Sequence, residues 1–183
     1  MRSRTSLHAT IGLAMVVALG GCAAGITYNH DFDPSANLTG FRTYLWATPP
    51  ENSRGVNQMI ERRIIMAMDQ QLQAKGYQLS NTGEADFAVN FTLTTSQQTD
   101  YNTYYTGMGY GRGWYGGMGT STTTATTYTN GTLIVDIFDV RSRNLVWRGT
   151  AAGTIEENAS PEQRDMRIQE ATAGILRQFP SRQ

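Results

Sequence analysis

Hydrophobic and polar positions recur along the chain with two different periods, and the changes between them mark the predicted elements. Between residues 57 and 74, Ile60, Ile64, Ala67, Met68, Gln71 and Leu72 share one face of a 3.6-residue period, which predicts a helix. Asn57 stands at the N-cap position. Lys75-Gly76 makes a stop, a cation at the negative end of the dipole followed by a residue free to turn left-handed. Tyr77 is placed to fold back onto the last turn. A second helix is predicted over about 161–178, with Ser160 and Gln163 forming a capping box and Pro161 at the first helical position. Its apolar stripe is Ile168, Ala171, Thr172, Ile175 and Phe179, and Pro180 ends it.

Elsewhere the period is two. Phe87, Val89, Phe91 and Leu93 alternate with Ala88, Asn90, Thr92 and Thr94, the pattern of a half-buried strand. Residues 132–140 repeat it with Leu133, Val135 and Ile137, and 144–155 continue the sheet after a turn at 141–143. Residues 26–33 and 42–47 read as short strands around a turn at 34–40, with a loop over 49–55. The order is strand-strand-helix-strand-strand-strand-helix. Short connections among the last three strands imply an antiparallel sheet of about five strands with both helices on one face, an α+β domain.

Residues 99–130 break both periods. The stretch 101–119 holds five Tyr, one Trp, two Met and seven Gly, flanked by polar Thr-rich arms. Thr and Tyr favour strands, so the segment reads as a long protruding hairpin whose base pairs 87–94 with about 128–136. Asn130-Gly131 is then a bulge in the returning strand; a tight two-residue turn there is the competing reading. Tyr104, Tyr105, Tyr110, Trp114 and Tyr115 are the candidate contact residues of the tip. Tyr and Trp serve stacking on glycan rings, lipid interfaces and protein partners alike. The plain alternative is a solvated low-complexity loop.

The N-terminus changes the picture most. Arg2 and Arg4 precede the apolar run 11–19, which is too short to span a bilayer as a helix and suits a signal peptide. Leu19-Gly20-Gly21-Cys22 resembles a bacterial lipobox, apolar-small-small-cysteine, with cleavage between Gly21 and Cys22. Residues 1–21 are therefore expected to be a lipoprotein signal, and 22–183 a single α+β domain. Cys22 would carry a diacylglyceryl group, with N-acylation as a further modification. Cys22 is the one cysteine of the chain, so no intrachain disulfide is available. Ala23 rather than Asp after the cysteine points, by analogy with sorting in diderm bacteria, to the outer membrane facing the periplasm.

Removing residues 1–21 leaves 13 basic against 15 acidic residues and no basic face, which argues against a nucleic-acid partner. Catalytic chemistry is sparse. His30 is the single histidine of the mature chain, in a strand with no motif around any serine. One imidazole and a lipidated cysteine make no metal site, and no cofactor is expected. Asp31, Asp33, Ser35 and Asn37 alternate like the start of a calcium loop, but Ala36 and Arg42 occupy positions that need Gly and Glu. Asp136 and Asp139, three apart on a strand, face opposite sides. Trp46 and Trp147 read as core residues whose indole N–H finds a partner.

Several short blocks carry a resemblance. They are Asp33-Pro34-Ser35-Ala36 with Phe41-Arg42-Thr43-Tyr44-Leu45-Trp46, Leu72-x-Ala74-Lys75-Gly76-Tyr77, Ala85-Asp86-Phe87-x-Val89, Gly131-Thr132-Leu133-x-Val135-Asp136 and Leu145-Val146-Trp147-Arg148-Gly149. Their order resembles a family of bacterial envelope lipoproteins catalogued as the domain of unknown function number four-one-three-six, over roughly 27–180. The resemblance implies a lipoprotein with an α+β fold and brings no catalytic residues.

The expected function is a non-enzymatic, lipid-anchored envelope protein that binds or scaffolds an envelope protein or peptidoglycan. The alternatives are an accessory subunit of an envelope transport or assembly machine, and a glycan hydrolase working through two carboxylates across a cleft.

Overall fold

The computed structural model describes residues 25–47, 56–106 and 120–182. The expectations for Gly21 and Cys22, and for Tyr110, Trp114 and Tyr115, lie outside these residues. The elements are β1 (Thr27–Phe32), β2 (Thr43–Trp46), α1 (Gln58–Ala74), β3 (Gln78–Leu79), β4 (Phe87–Thr106), β5 (Thr120–Asp139), β6 (Leu145–Ile155) and α2 (Pro161–Arg177).

The domain is α+β, but the sheet differs from the expected antiparallel five. Among the described residues it has six strands in the order β1-β6-β5-β4-β2-β3, and it is mixed. The run β1-β6-β5-β4 is antiparallel, whereas β2 runs parallel to both β4 and β3. The cause is the α1 crossover: a chain that leaves β2, traverses a helix and returns to the same sheet re-enters in the same direction. The strands β1 and β2 do not pair with each other, and three strands separate them. The segment between them crosses the end of the sheet and buries Leu38 and Phe41 there.

Both helices begin and end where local chemistry dictates. The Asn57 side chain accepts from the Ile60 N–H, and Gly76 takes a positive φ of 91° after α1. The Ser160 hydroxyl accepts from the Gln163 N–H while the Gln163 side chain accepts from the Ser160 N–H. The helices run side by side in the same direction. Arg63 meets Asp165 at 3.2 Å near their starts, and Lys75 Nζ donates to the Phe179 carbonyl near their ends. Tyr77 packs back as expected, its N–H donating to the Leu72 carbonyl and its hydroxyl to that of Pro180.

The alternation on β4 and β5 sets which face is covered. Val89 lies opposite Ile137, Phe91 opposite Val135, and Leu93 opposite Leu133. These residues join Ile64, Met68 and Leu72 of α1 and Ile175 and Leu176 of α2 in one hydrophobic core. An aromatic cluster of Phe41, Tyr77, Phe87, Trp147 and Phe179 fills the C-terminal end of the helices. Helix α2 comes so close to β1 that a Cβ on Gly174 would lie 2.1 Å from the Tyr28 ring. The two tryptophans differ: Trp46 donates its indole N–H to Asp69 at 3.1 Å, whereas Trp147, fully buried, leaves Nε1 without a partner, contrary to expectation.

Candidate functional site

Strands β4 and β5 pair over twenty positions in continuous register, from Phe87 opposite Asp139 to Thr106 opposite Thr120. The expected base register, 87–94 with about 128–136, sits about three residues too early on the returning strand. Asn130 and Gly131 pair regularly with Ser96 and Thr95 on one side and Thr154 and Gly153 on the other, so neither the bulge nor the tight turn exists at that place. The register shift falls instead between Ile137 and Phe138, opposite Trp147 and Leu145. Alternation continues straight through Asn130-Gly131 because Thr on both sides keeps the extended backbone favourable.

Neighbours on the sheet leave this pair one after the other. The last residue of β2 paired with β4 is Trp46, opposite Val89. The last residue of β6 paired with β5 is Ile155, opposite Thr129. From Gln98 opposite Tyr128 to Thr106 opposite Thr120, β4 and β5 form a two-stranded ribbon, and among the described residues no strand pairs with either outer edge. Nine residue pairs at about 3.4 Å each extend it about 30 Å past the sheet. Thr99 bonds Thr127 at 2.9 Å and Thr103 bonds Thr123 at 3.0 Å across it. Tyr104 and Tyr105 are 64% and 82% exposed, on opposite faces of the ribbon. Tyr101, missed among the expected contact residues, is 73% exposed and shares the Tyr105 face.

A groove of about 710 Å³ opens at the root of this ribbon, between the first turns of α1 and α2 and the sheet. Its floor is Ile64, Leu133 and Ala151, each at most 5% exposed. Ile60, Leu93, Ile168 and Ala171 form half-buried walls, and Ile26, Val56 and Ile155 the rim. A Cβ on Gly131 would lie 2.6 Å from Ile155 Cδ1, so the glycine gives this isoleucine its place over the sheet. Glu156, Arg164, Arg167 and Glu170 ring the groove's mouth; Arg167 pairs with Glu170 at 3.1 Å, and the Arg167 guanidinium reaches to 3.2 Å from where a Cβ on Gly153 would lie. Gly131 and Gly153 pair across β5 and β6, which leaves the sheet without side chains at that point of the groove.

The carboxylates occupy structural positions. Asp136 receives a bidentate ion pair from Arg148, at 2.6 and 2.9 Å, on the sheet face away from the helices. Asp69 accepts from the Tyr44 hydroxyl. The Ser35 hydroxyl and N–H hold Asp33 below the usual carboxylate range, and the Ser142 N–H does the same for Asp139 at the β5–β6 turn. The Ser160 hydroxyl lowers Glu162. Burial pushes Asp86 up, but the N–H groups of Thr43 and Arg42 outweigh it and hold the group down. His30 is exposed on β1 and stacks on Phe32 at 6.4 Å. Among the described residues no three His, Cys, Asp or Glu side chains gather as a metal would need, and no helix is long and apolar enough to cross a membrane.

The chain matches the model of the family described as Domain of unknown function (DUF4136) over residues 28–181, and it belongs to that family. No curated protein matches it. Its fold is similar to that of a PDZ domain protein from Parabacteroides distasonis, with a TM-score of 0.56 at 12% identity over 87% of this chain. The matched region makes up 37% of that protein's chain. Two structures of the PelC dodecamer from Paraburkholderia phytofirmans align with a TM-score of 0.48 at 12–13% identity, over 87% of this chain and 100% of theirs.

Proposed function

We propose that this protein is a lipid-anchored, periplasm-facing envelope protein without catalytic activity, which binds or scaffolds an envelope partner through the β4–β5 ribbon. The observation that carries the reading is the ribbon's two open edges. Edge strands are ordinarily blunted by charge, proline or bulges. Between 98–106 and 120–128 the chain has one charge, Asp100, and no proline or glycine, and the register runs without a bulge. A free two-stranded ribbon is marginal in water, so an added strand from a partner would supply the missing main-chain bonds. The exposed Tyr101, Tyr104 and Tyr105 offer side-chain contacts beside those edges. The non-catalytic reading draws on the carboxylates: those with shifted pKa move downward, opposite to the direction a general acid needs.

The anchor rests on the lipobox ending at Cys22 and on chain placement. Ile26 lies at the ribbon end of the sheet, beside Gly153, so a lipid on Cys22 would hold that end toward the outer membrane. A photocrosslinking residue at Tyr105 in cells tests the contact: a discrete adduct with an envelope component is expected, and labelling by solvent or lipid alone would refute it. For the anchor, Cys22→Ser is expected to abolish lipid labelling and membrane fractionation. A variant that stays membrane-bound would overturn that part.

A further inference from the structure

The groove at the ribbon's root is built for an aliphatic chain. Its floor and walls are Ile, Leu, Ala and Gly, its charged residues Glu156, Arg164, Arg167 and Glu170 stand at the mouth, and no described residue lining it is aromatic. A sugar site would present aromatic platforms, since Tyr and Trp are the side chains that stack on glycan rings. The aromatic half of this core lies at the opposite end, around Phe87 and Phe179. The groove is open where the chain arrives: Ile26 forms part of its rim, and Cys22 stands four residues earlier. Four extended residues reach at most about 14 Å, so a thioether on Cys22 is confined close to the groove mouth.

We propose that the groove holds one acyl chain of the lipid carried by Cys22. This rests on the lipoprotein reading. A triacylated cysteine has three chains, and two suffice for stable attachment, so one in the groove leaves the anchor intact. The seated chain covers Ile155 and Met166, which are otherwise 37% and 62% exposed. It also draws the ribbon end of the domain toward the membrane surface.

The test uses the full chain in cells fed a photoreactive fatty acid. After irradiation the protein is digested and its cross-links are mapped. The expected product joins the Cys22 peptide, through its acyl chain, to peptides containing Ile155 or Ile168. A labelled Cys22 peptide with no link to the groove overturns the proposal and leaves the anchor standing, as does a groove adduct from phospholipid alone. An unlabelled Cys22 overturns the lipoprotein reading and the proposal with it. Gly153→Phe places a ring in the groove mouth, since Gly153 shares the Gly131 side of the sheet. Loss of the groove links with full labelling of Cys22 is expected; unchanged links would count against the site.

Discussion

One strand pair in this molecule lives in two environments. From Phe87 to Leu93 and from Leu133 to Asp139, strands β4 and β5 bury Phe87, Val89, Phe91, Val135 and Ile137 under two helices. From Gln98 to Thr106 and from Thr120 to Tyr128 the same ladder continues in the same register, with no third strand beside it among the described residues. The bonds between β4 and β5 are alike in both halves. What differs is that the covered half also bonds outward to β2 and β6 and removes apolar area from water, the dominant favourable term in folding. Hydrogen-bond register describes geometry, and covered surface decides which part of that geometry is stable.

The largest expected effect lies in the covered half. Phe91→Ala removes a fully buried ring and should cost about 3–5 kcal/mol. Tyr105→Ala, 82% exposed in the open half, should stay within about 0.5 kcal/mol. Urea unfolding of both variants measures the contrast, and equal losses would mean that the ribbon is packed against something in the free protein.

Next comes removal of the ribbon itself. Joining Gln97 to Thr129 by Asn-Gly keeps their paired register and supplies a two-residue hairpin turn. The shortened domain should keep its stability to within about 1 kcal/mol, because an unsupported two-stranded ribbon contributes marginally. Loss of cooperative unfolding would show that the two halves form one unit. Native-state hydrogen exchange sharpens the point in the intact chain. Amides of 99–105 should exchange by local opening, whereas those of Val89 and Phe91 should wait for global unfolding.

The covered half was the legible half. Periodicity located both helices to within a residue, because Ile64, Met68, Leu72 and Ile175 repeat on faces that the fold buries. Caps at Asn57 and Ser160 and the stop at Gly76 follow from local chemistry that tertiary structure had no reason to override. The order of strands was not legible. Gln78–Leu79 is two residues long, too short for any pattern, yet it forms the edge beyond β2. Parallel pairing of β2 depends on where α1 lands, and no residue in β2 encodes that. The hairpin was visible as composition. Its register was not, because a Thr-rich strand looks the same after a slip of two. The groove was hidden for a different reason: its residues come from six segments, and Ile60, Leu93, Ile155 and Ile168 meet only after folding.

The smallest effect concerns how the covered half is closed at its edge. Asp86 accepts from the N–H groups of Arg42 and Thr43 and from the Thr43 hydroxyl, which joins the start of β4 to β2. Its folded pKa is held below the ordinary carboxylate value, those N–H donors outweighing the upward push of burial. The unfolded chain should titrate near the free value of about 3.9. A carboxylate depressed on folding contributes stability that is complete above the unfolded pKa and lost as pH falls through the folded one. Asp86→Asn should therefore lower stability slightly at pH 7 and flatten the decline below about pH 4, where the unfolded carboxylate begins to protonate. Because burial of the half-buried carboxylate offsets part of what its donors contribute, the effect should be small, well under that of Phe91→Ala. Denaturation midpoints of both proteins from pH 7 to pH 2.5 measure it, and parallel curves would show that the Asp86 contact is incidental to the junction of β2 and β4. The ribbon-deleted domain should give the same pH profile, because Asp86 lies at the end of β4 farthest from the ribbon. A changed profile there would erase the distinction between the two halves.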